Sequence, residues 1–246
     1  MNIHVNLIPE SGSLILPINY NHMLQSAIYS SIGPEIAQFL HDKGYVVGNR
    51  IFKLFCFSRL EGKYSIDFTT KTITFLNKIK LIISSPIDNF CESLINTMLT
   101  KGQIELYKTK LNIESICVSK NVVQNEMIRC QVLSPITVYS TLFRPDGRKY
   151  TCYFQPGDPD YNLLIEMNLR KKYLIVNGVE APEGEVSVKR LGRGRMEIVQ
   201  YKDTIIKGYM GNILLRGPSA LLQLALDAGI GSKNSQGFGC IIMLDD

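Results

Sequence analysis

The chain has 246 residues, 45% hydrophobic and 20% charged, with 27 Lys+Arg against 22 Asp+Glu for a formal net charge of +5. That is the balance of a globular protein large enough to bury a core without disulfide or metal staples, and it excludes a disordered acidic chain. No apolar run approaches the roughly 18–20 residues of a membrane helix, and Met1–Glu10 lacks an export signal's basic and apolar blocks, so a cytoplasmic location is expected.

Asn2–Pro9 alternates apolar and polar residues, as a half-buried strand does. From Asn19 to Ile32, Met23, Ala27, Ile28 and Ile32 recur at helical spacing until Gly33-Pro34 stops the helix, and a second short helix spans Glu35–Lys43. Strands are expected at Phe52–Ser58, 63–69, 72–76 and Lys80–Ser85, with Glu61-Gly62 as a hairpin turn. A helix from Asp88 to about Thr100, closed by Gly102, leads into strand-like sequence up to Val118. The order is that of a βαββαβ ferredoxin-like unit.

After residues 120–126 the pattern starts again. Met127–Tyr139 reads as a strand interrupted by Pro135, 149–154 as another, and 160–175 as a helix. Two strands are expected on either side of a Gly192–Gly194 turn, then a strand over Ile205–Leu215. A helix over Ser219–Ala228, capped by Ser219 and ended by Gly229, precedes a last strand at Cys240–Leu244. The fold class is α+β, a tandem of ferredoxin-like (RRM-like) βαββαβ domains over 1–122 and 123–246.

The six cysteines, at 56, 91, 117, 130, 152 and 240, have no C-x-x-C or similar spacing, so buried reduced thiols are expected. Of three histidines, His4, His22 and His41, none stands four residues from another, and no metal site is expected. His22 reads as a residue that caps or packs at its helix start.

The most distinctive stretch is Gly229-Ile-Gly-Ser-Lys-Asn-Ser-Gln-Gly-Phe-Gly239. Gly229, Gly231, Gly237 and Gly239 let a backbone approach a ligand without Cβ obstruction. Free N–H groups around Ser232, Asn234 and Ser235 suit phosphate oxygens, and Lys233 adds a point charge. The loop is neither a P-loop nor G-x-G-x-x-G, and a plain helix-to-strand turn is the other reading.

Gly-Ile-Gly, five polar or basic residues and Gly-Phe-Gly near the C-terminus resemble the glycine-rich motif of the CRISPR-associated repeat-RNA endoribonucleases, the Cas-six family. The resemblance extends to Pro17–His22, Leu24–Tyr29, Phe39-Leu-His41, Lys53-Leu-Phe55, Phe57-Ser58 and Pro135, and so covers the whole chain. It implies a tandem ferredoxin-like fold and metal-independent cleavage of repeat transcripts, without a cofactor. The substrate's 2′-hydroxyl is the nucleophile, leaving a 2′,3′-cyclic phosphate or 3′-phosphate and a 5′-hydroxyl. The positions that match the family's catalytic residues are Tyr29, His41 and Lys53. A histidine exchanges protons near neutral pH, a lysine meets developing negative charge, and a tyrosine, with a pKa of about 10, orients a 2′-hydroxyl more readily than it deprotonates one. The implied partners are CRISPR repeat RNA, a CRISPR effector complex and a second copy of the chain in a homodimer.

The charge excess is local. From Val188 to Arg216 there are seven Lys/Arg and two acids, and Lys189, Arg190, Arg193 and Arg195 crowd around the glycines at 192 and 194, as a basic hairpin contacting RNA would place them. Arg170, Lys171 and Lys172 read instead as a solvated helix face. Two rivals to the endoribonuclease stay open: a subunit that holds guide RNA without cutting it, and a small-ligand module on the same fold.

Overall fold

The computed structural model describes residues 1–244 and contains two ferredoxin-like halves. In the first, β1 (Asn2–Pro9) and β7 (Thr72–Ser84) are the central strands of the sheet, paired antiparallel with Ile3 opposite Ile83 and Val5 opposite Leu81. β9 (Thr109–Ser119) flanks β1, while β5 (Cys56–Phe57) and β6 (Glu61–Asp67) pair with the far edge of β7. Helices α1 (Asn21–Tyr29) and α3 (Asp88–Lys101) bury Leu24, Ile28, Phe90 and Leu94 in the core beside Ile3, Val5, Leu81 and Ile83. Two additions extend this half: β2 (Ser13–Pro17) and β8 (Gln103–Leu106) border the sheet, and α2 (Pro34–Asp42) leads into a hairpin of β3 (Tyr45–Val47) and β4 (Arg50–Phe52).

The second half repeats the strand order. β13 (Ser187–Tyr201), β14 (Thr204–Arg216), β10 (Met127–Val132) and β15 (Ile241–Met243) form one antiparallel sheet in that sequence. Helices α4 (Tyr161–Asn177) and α5 (Ser219–Ala228) cover it through Tyr161, Ile165, Leu169, Leu222 and Ala225. Between β10 and α4 a separate two-stranded hairpin is inserted, β11 (Val138–Phe143) with β12 (Lys149–Phe154). Among the described residues no helix is long and apolar enough to cross a membrane.

Several local expectations are corrected. Glu61-Gly62 is not a turn: both residues belong to β6, with a bulge between Gly62 and Lys63. The chain reverses after Asp67 instead, whose Oδ1 accepts the N–H groups of Thr69 and Thr70 at 2.8 and 3.2 Å. Gly192 and Gly194 likewise lie inside the single strand β13, at a bulge opposite Gly211 and Asn212. A side chain at Gly194 would overlap the phenol of Tyr209, so that glycine is a packing requirement. The hairpin turn lies at Tyr201–Thr204, with Lys202 at φ 51°. The expected strand Phe52–Ser58 breaks at Leu54, held at φ 53° in the left-handed region that a leucine rarely occupies. α5 is preceded by Pro218 with no side-chain cap, so Ser219 is its first helical residue.

The halves are joined by polar and apolar contacts. Asn21 Nδ2 donates to the carbonyls of Gln236 and Gly237 at 3.1 and 3.2 Å, Arg59 pairs with Glu197 at 2.6 Å, and the Tyr201 hydroxyl bonds to Gln25. Phe52 and Leu54 share a buried cluster with Leu224 and Ala228, and Cys56 and Ile82 share another with Leu133 and Cys240.

The glycine loop is part of this joint, which makes its glycines testable. Gly239 has φ +70°, and a Cβ there would overlap the Ile230 carbonyl oxygen. Gly147, at φ +79°, faces open space. Gly147→Ala should cost about 1–2 kcal/mol for the left-handed backbone alone. Gly239→Ala should cost at least about 3 kcal/mol. Urea unfolding of the two variants checks the difference.

Candidate functional site

His41 and Lys53 are brought together by the end of α2 and the end of β4, which Lys53 directly follows, so the strand expected to hold Lys53 stops one residue short of it. His41 lies in the last turn of α2, and Gly44, at φ +66°, turns the chain back toward β4. A Cβ at Gly44 would come within 2.8 Å of the Phe52 carbonyl and 3.1 Å of Lys53 Cδ, so glycine permits the close approach. Lys53 Nζ donates to the His41 backbone carbonyl at 3.2 Å. Burial lowers the Lys53 pKa, and the Asp42 charge partly opposes the shift.

Asp42 completes the group and was not singled out by sequence. His41 Nδ1 lies 2.7 Å from Asp42 Oδ1. An ionised carboxylate only accepts, so Nδ1 carries the hydrogen and Nε2 is left for proton exchange. The hydrogen bond from His41 is the main reason the Asp42 carboxyl sits below its usual pKa. The imidazole is exposed, with 82% of its side-chain surface accessible.

These three residues border a cleft of about 440 Å³ between the halves. Its other walls are Arg50, Phe55, Tyr139, Lys171 and the loop from Gly231 to Gln236, including Lys233. Cations therefore outnumber carboxylates on the wall, where Asp42 is the one carboxylate. A larger groove of about 1200 Å³, bordered by Glu126, Arg129, Glu185 and Arg216, includes none of the expected catalytic residues. Among the described residues no three His, Cys, Asp or Glu side chains gather as metal ligands.

Tyr29 is not on the cleft wall. It ends α1, half-buried, and packs edge-on against Phe55 with ring centroids 5.9 Å apart. Burial, with a smaller contribution from Tyr201, pushes its pKa up to about 12. A phenol so shifted is almost wholly protonated at neutral pH, and it supports the Phe55 wall from behind.

The glycine loop differs from expectation in what its glycines face. Gly229, Gly231, Gly237 and Gly239 are all buried, and Cβ atoms on them would meet Cys56, Thr137, Phe57 and Ile230 respectively. The missing side chains admit neighbouring protein, not a ligand. Several loop amides are already bonded: Ser232 N to the Thr137 carbonyl, Gly237 N to that of Asn234 and Gly239 N to that of Pro135. Asn234 is buried at the centre, its Nδ2 donating to the Ile230 and Phe238 carbonyls at 3.1 and 3.0 Å. Ser232, Lys233 and Ser235 remain half-exposed on the cleft wall, with Lys233 Nζ 5.3 Å from the Tyr139 ring centroid.

The basic strand residues Lys189, Arg190, Arg193 and Arg195 are all exposed, but none borders this cleft. Arg195 donates to Glu197 at 2.8 and 3.0 Å, and Glu197 also pairs with Arg59 across the domain joint.

The cationic helix segment is the larger correction. Arg170 donates to Glu166 at 2.8 Å and to the Pro182 and Gly184 carbonyls, and Lys171 lines the cleft. Lys172 is 2% exposed. Its Nζ donates to the Gly229 carbonyl and Asn234 Oδ1 at 2.7 Å each, and to the Gly231 and Ala228 carbonyls at 3.3 and 3.5 Å. One ammonium thus gathers the end of α5 and the start of the glycine loop. Burial pushes its pKa down to about 7, while the surrounding oxygens favour the charged form. A flanking arginine and lysine made Lys172 look like part of a solvated face, and only the position of α5 reveals its burial.

Comparison with known proteins follows the same two halves. Residues 118–243 match the family described as CRISPR associated protein Cas6, C-terminal, and residues 15–117 the one described as CRISPR-associated protein Cas6, N-terminal. The chain is 26% identical to CRISPR-associated endoribonuclease Cas6 of Pyrococcus furiosus, covering 98% of this chain and 89% of that protein. It is 27% identical to CRISPR-associated endoribonuclease Cas6 1 of Methanocaldococcus jannaschii, covering 100% and 94%. A structure of a Cas6-related gene product from Pyrococcus furiosus superposes with a TM-score of 0.84 at 22% identity, covering 100% of this chain and 99% of that one.

The buried ammonium has a pH signature. The unfolded chain holds the Lys172 proton up to about pH 10.5, the native chain only to about 7, so between these values the unfolded state binds more protons and stability rises with pH. Lys172→Met should abolish this rise, worth up to about 5 kcal/mol over the full window, and speed amide exchange at Ile230, Ser232 and Gly239. Denaturation from pH 6 to 10 and hydrogen exchange check both.

Proposed function

The chain belongs to the Cas6 family, and we propose that it is an endoribonuclease that cuts CRISPR repeat transcripts into guide RNAs at the cleft bordered by His41, Asp42 and Lys53. The observation that carries this reading is a histidine whose tautomer is set by a carboxylate, beside a lysine, in a cleft whose wall also carries Arg50, Lys171 and Lys233. A polyanion is drawn to that wall, and the histidine has a ring nitrogen to offer it.

In the proposed step the 2′-oxygen attacks phosphorus as the bond to the 5′-oxygen breaks. The 2′-hydroxyl proton passes to His41 Nε2, and the 5′-oxygen gains a proton from Lys53, made more acidic by burial. Lys53 also meets the negative charge of the phosphorane. No net proton or metal ion is consumed, and the products are a 2′,3′-cyclic phosphate and a 5′-hydroxyl. Tyr29 shapes the Phe55 wall; with its pKa near 12 it is assigned no proton transfer. The first half, 1–122, supplies the chemistry. The second, 123–246, holds RNA through Lys233, Ser232 and Ser235, with Lys189, Arg190 and Arg193 contacting phosphates beyond the cleft.

The placement of Tyr29 off the cleft wall favours a second reading, a subunit that holds guide RNA without cutting it. On either reading the protein works in the cytoplasm, and its protein partners are an effector complex and a second copy of the chain.

Cleavage of the cognate repeat RNA in EDTA, beside the same RNA with a 2′-deoxy sugar at the cut site, separates the readings. Cutting of the ribose form alone is expected. Cutting of both refutes the 2′-hydroxyl as nucleophile, and binding without cutting of either establishes the holding subunit. His41→Ala should lower the single-turnover rate by about 10²–10⁴ while affinity changes little. Arg193→Ala should instead weaken binding and reduce the slope of log K against log salt by about 0.7–0.9, read by titration at several salt concentrations.

A further inference from the structure

The inserted hairpin β11–β12 has no place in the repeated fold and packs little of its outer half. Its register sets two faces. Tyr139 stands opposite Tyr153, Thr141 opposite Thr151, and Phe143 opposite Lys149, and strand alternation places these three pairs on one side. This side begins at the cleft. Tyr139 is on the cleft wall, Lys233 lies over its ring, and its centroid is 5.9 Å from that of Tyr153.

Exposure then increases outward. Tyr139 is half-buried and Thr141 exposed, and Phe143 has 70% of its surface accessible. The distance from Tyr139 to Phe143 along the strand is about 13 Å. Around the tip, Arg144, Arg148 and Lys149 outnumber Asp146, and the Arg144 guanidinium lies 5.5 Å from the Tyr150 ring centroid on the other face. A two-stranded hairpin gains little stability from aromatic groups left in water at its tip. A row of rings with a threonine pair between them, a lysine over its cleft end and another at its tip, suits a chain of unpaired bases: rings stack on the bases, and cations and threonine hydroxyls meet the backbone.

We propose that the β11–β12 hairpin is a stacking arm that holds unpaired nucleotides of the substrate RNA where the strand leaves the cleft, with Phe143 and Lys149 as its outer contacts. The proposal rests on the repeat-RNA reading above and adds the single-stranded flank to what the protein recognises. A peptide or another protein on this face is the competing occupant, and neither would track RNA length.

The test uses the full chain and two forms of the repeat RNA encoded beside its gene, both 2′-deoxy at the cut site. One is trimmed to the repeat, and the other carries an unpaired extension at each end, with 2-aminopurine placed in turn along each extension. Wild-type protein should quench the probe at positions in one extension. Phe143→Ala should abolish that quenching and weaken binding of the extended RNA by about 5- to 100-fold, while binding of the trimmed RNA stays within about twofold. Phe143→Tyr should retain the quenching, and Lys149→Ala should reduce the salt slope on the extended RNA only. Equal losses on both RNAs, or neither quenching nor loss on the extended one, overturns the arm. Failure of wild-type protein to bind either RNA overturns the repeat-RNA reading itself, and the arm with it.

Discussion

A single buried ammonium organises the distinctive end of this molecule. Lys172 projects from α4 to where α5 ends, at the negative end of that helix, with four oxygens within 3.5 Å. A charge removed from water must be met by such acceptors or lose its proton. Meeting it fixes Gly229, Gly231 and Asn234 relative to α4. Asn234 in turn bonds to the Ile230 and Phe238 carbonyls, so the whole turn is held from its centre. Four of the loop's residues are glycines because this compact arrangement leaves no room for Cβ atoms.

The same loop carries the domain joint. Its Gln236 and Gly237 carbonyls accept from Asn21 in the first half, and Gly237 lies against Phe57. The cleft is what remains between α2–β4 on one side and α4 with the loop on the other, and its width depends on that packing. Leu54 shows the cost at this boundary. Its left-handed backbone is sparsely populated for leucine, yet it leaves Lys53 on the cleft wall and buries Leu54 with Leu224 and Ala228. The Ser85 hydroxyl, donating to the Leu54 carbonyl at 2.7 Å, secures that turn.

Proton chemistry and charge are divided between the halves. His41, Asp42 and Lys53 come from the first half, where α2 and β4 meet across Gly44. Lys171, Lys233 and Tyr139 come from the second. Neither half alone supplies both the histidine and the full cationic wall, so the cleft exists only in the assembled pair.

Periodicity and punctuation were enough to read the doubled βαββαβ order, because alternating strands and amphipathic helices leave a local imprint in every window. His41 and Lys53 were marked by the family resemblance, and the glycine loop was marked by periodicity and punctuation. They misread what depends on partners distant in sequence. Gly62, Gly192 and Gly194 looked like turns and are bulge residues, because a glycine's need for space does not reveal which neighbour takes that space. Lys172 looked solvated because its three carbonyl partners and Asn234 lie more than fifty residues away. Tyr29 matched by position, but only packing shows it behind Phe55 and outside the cleft. Sequence by itself determined the element order, the residue types available for proton transfer and the local charge excess, all of which are short-range properties. Tertiary structure decided which cations are buried, which glycines are packed and which of the candidate groups share a cleft, since burial and distance arise only when remote segments compete for the same space.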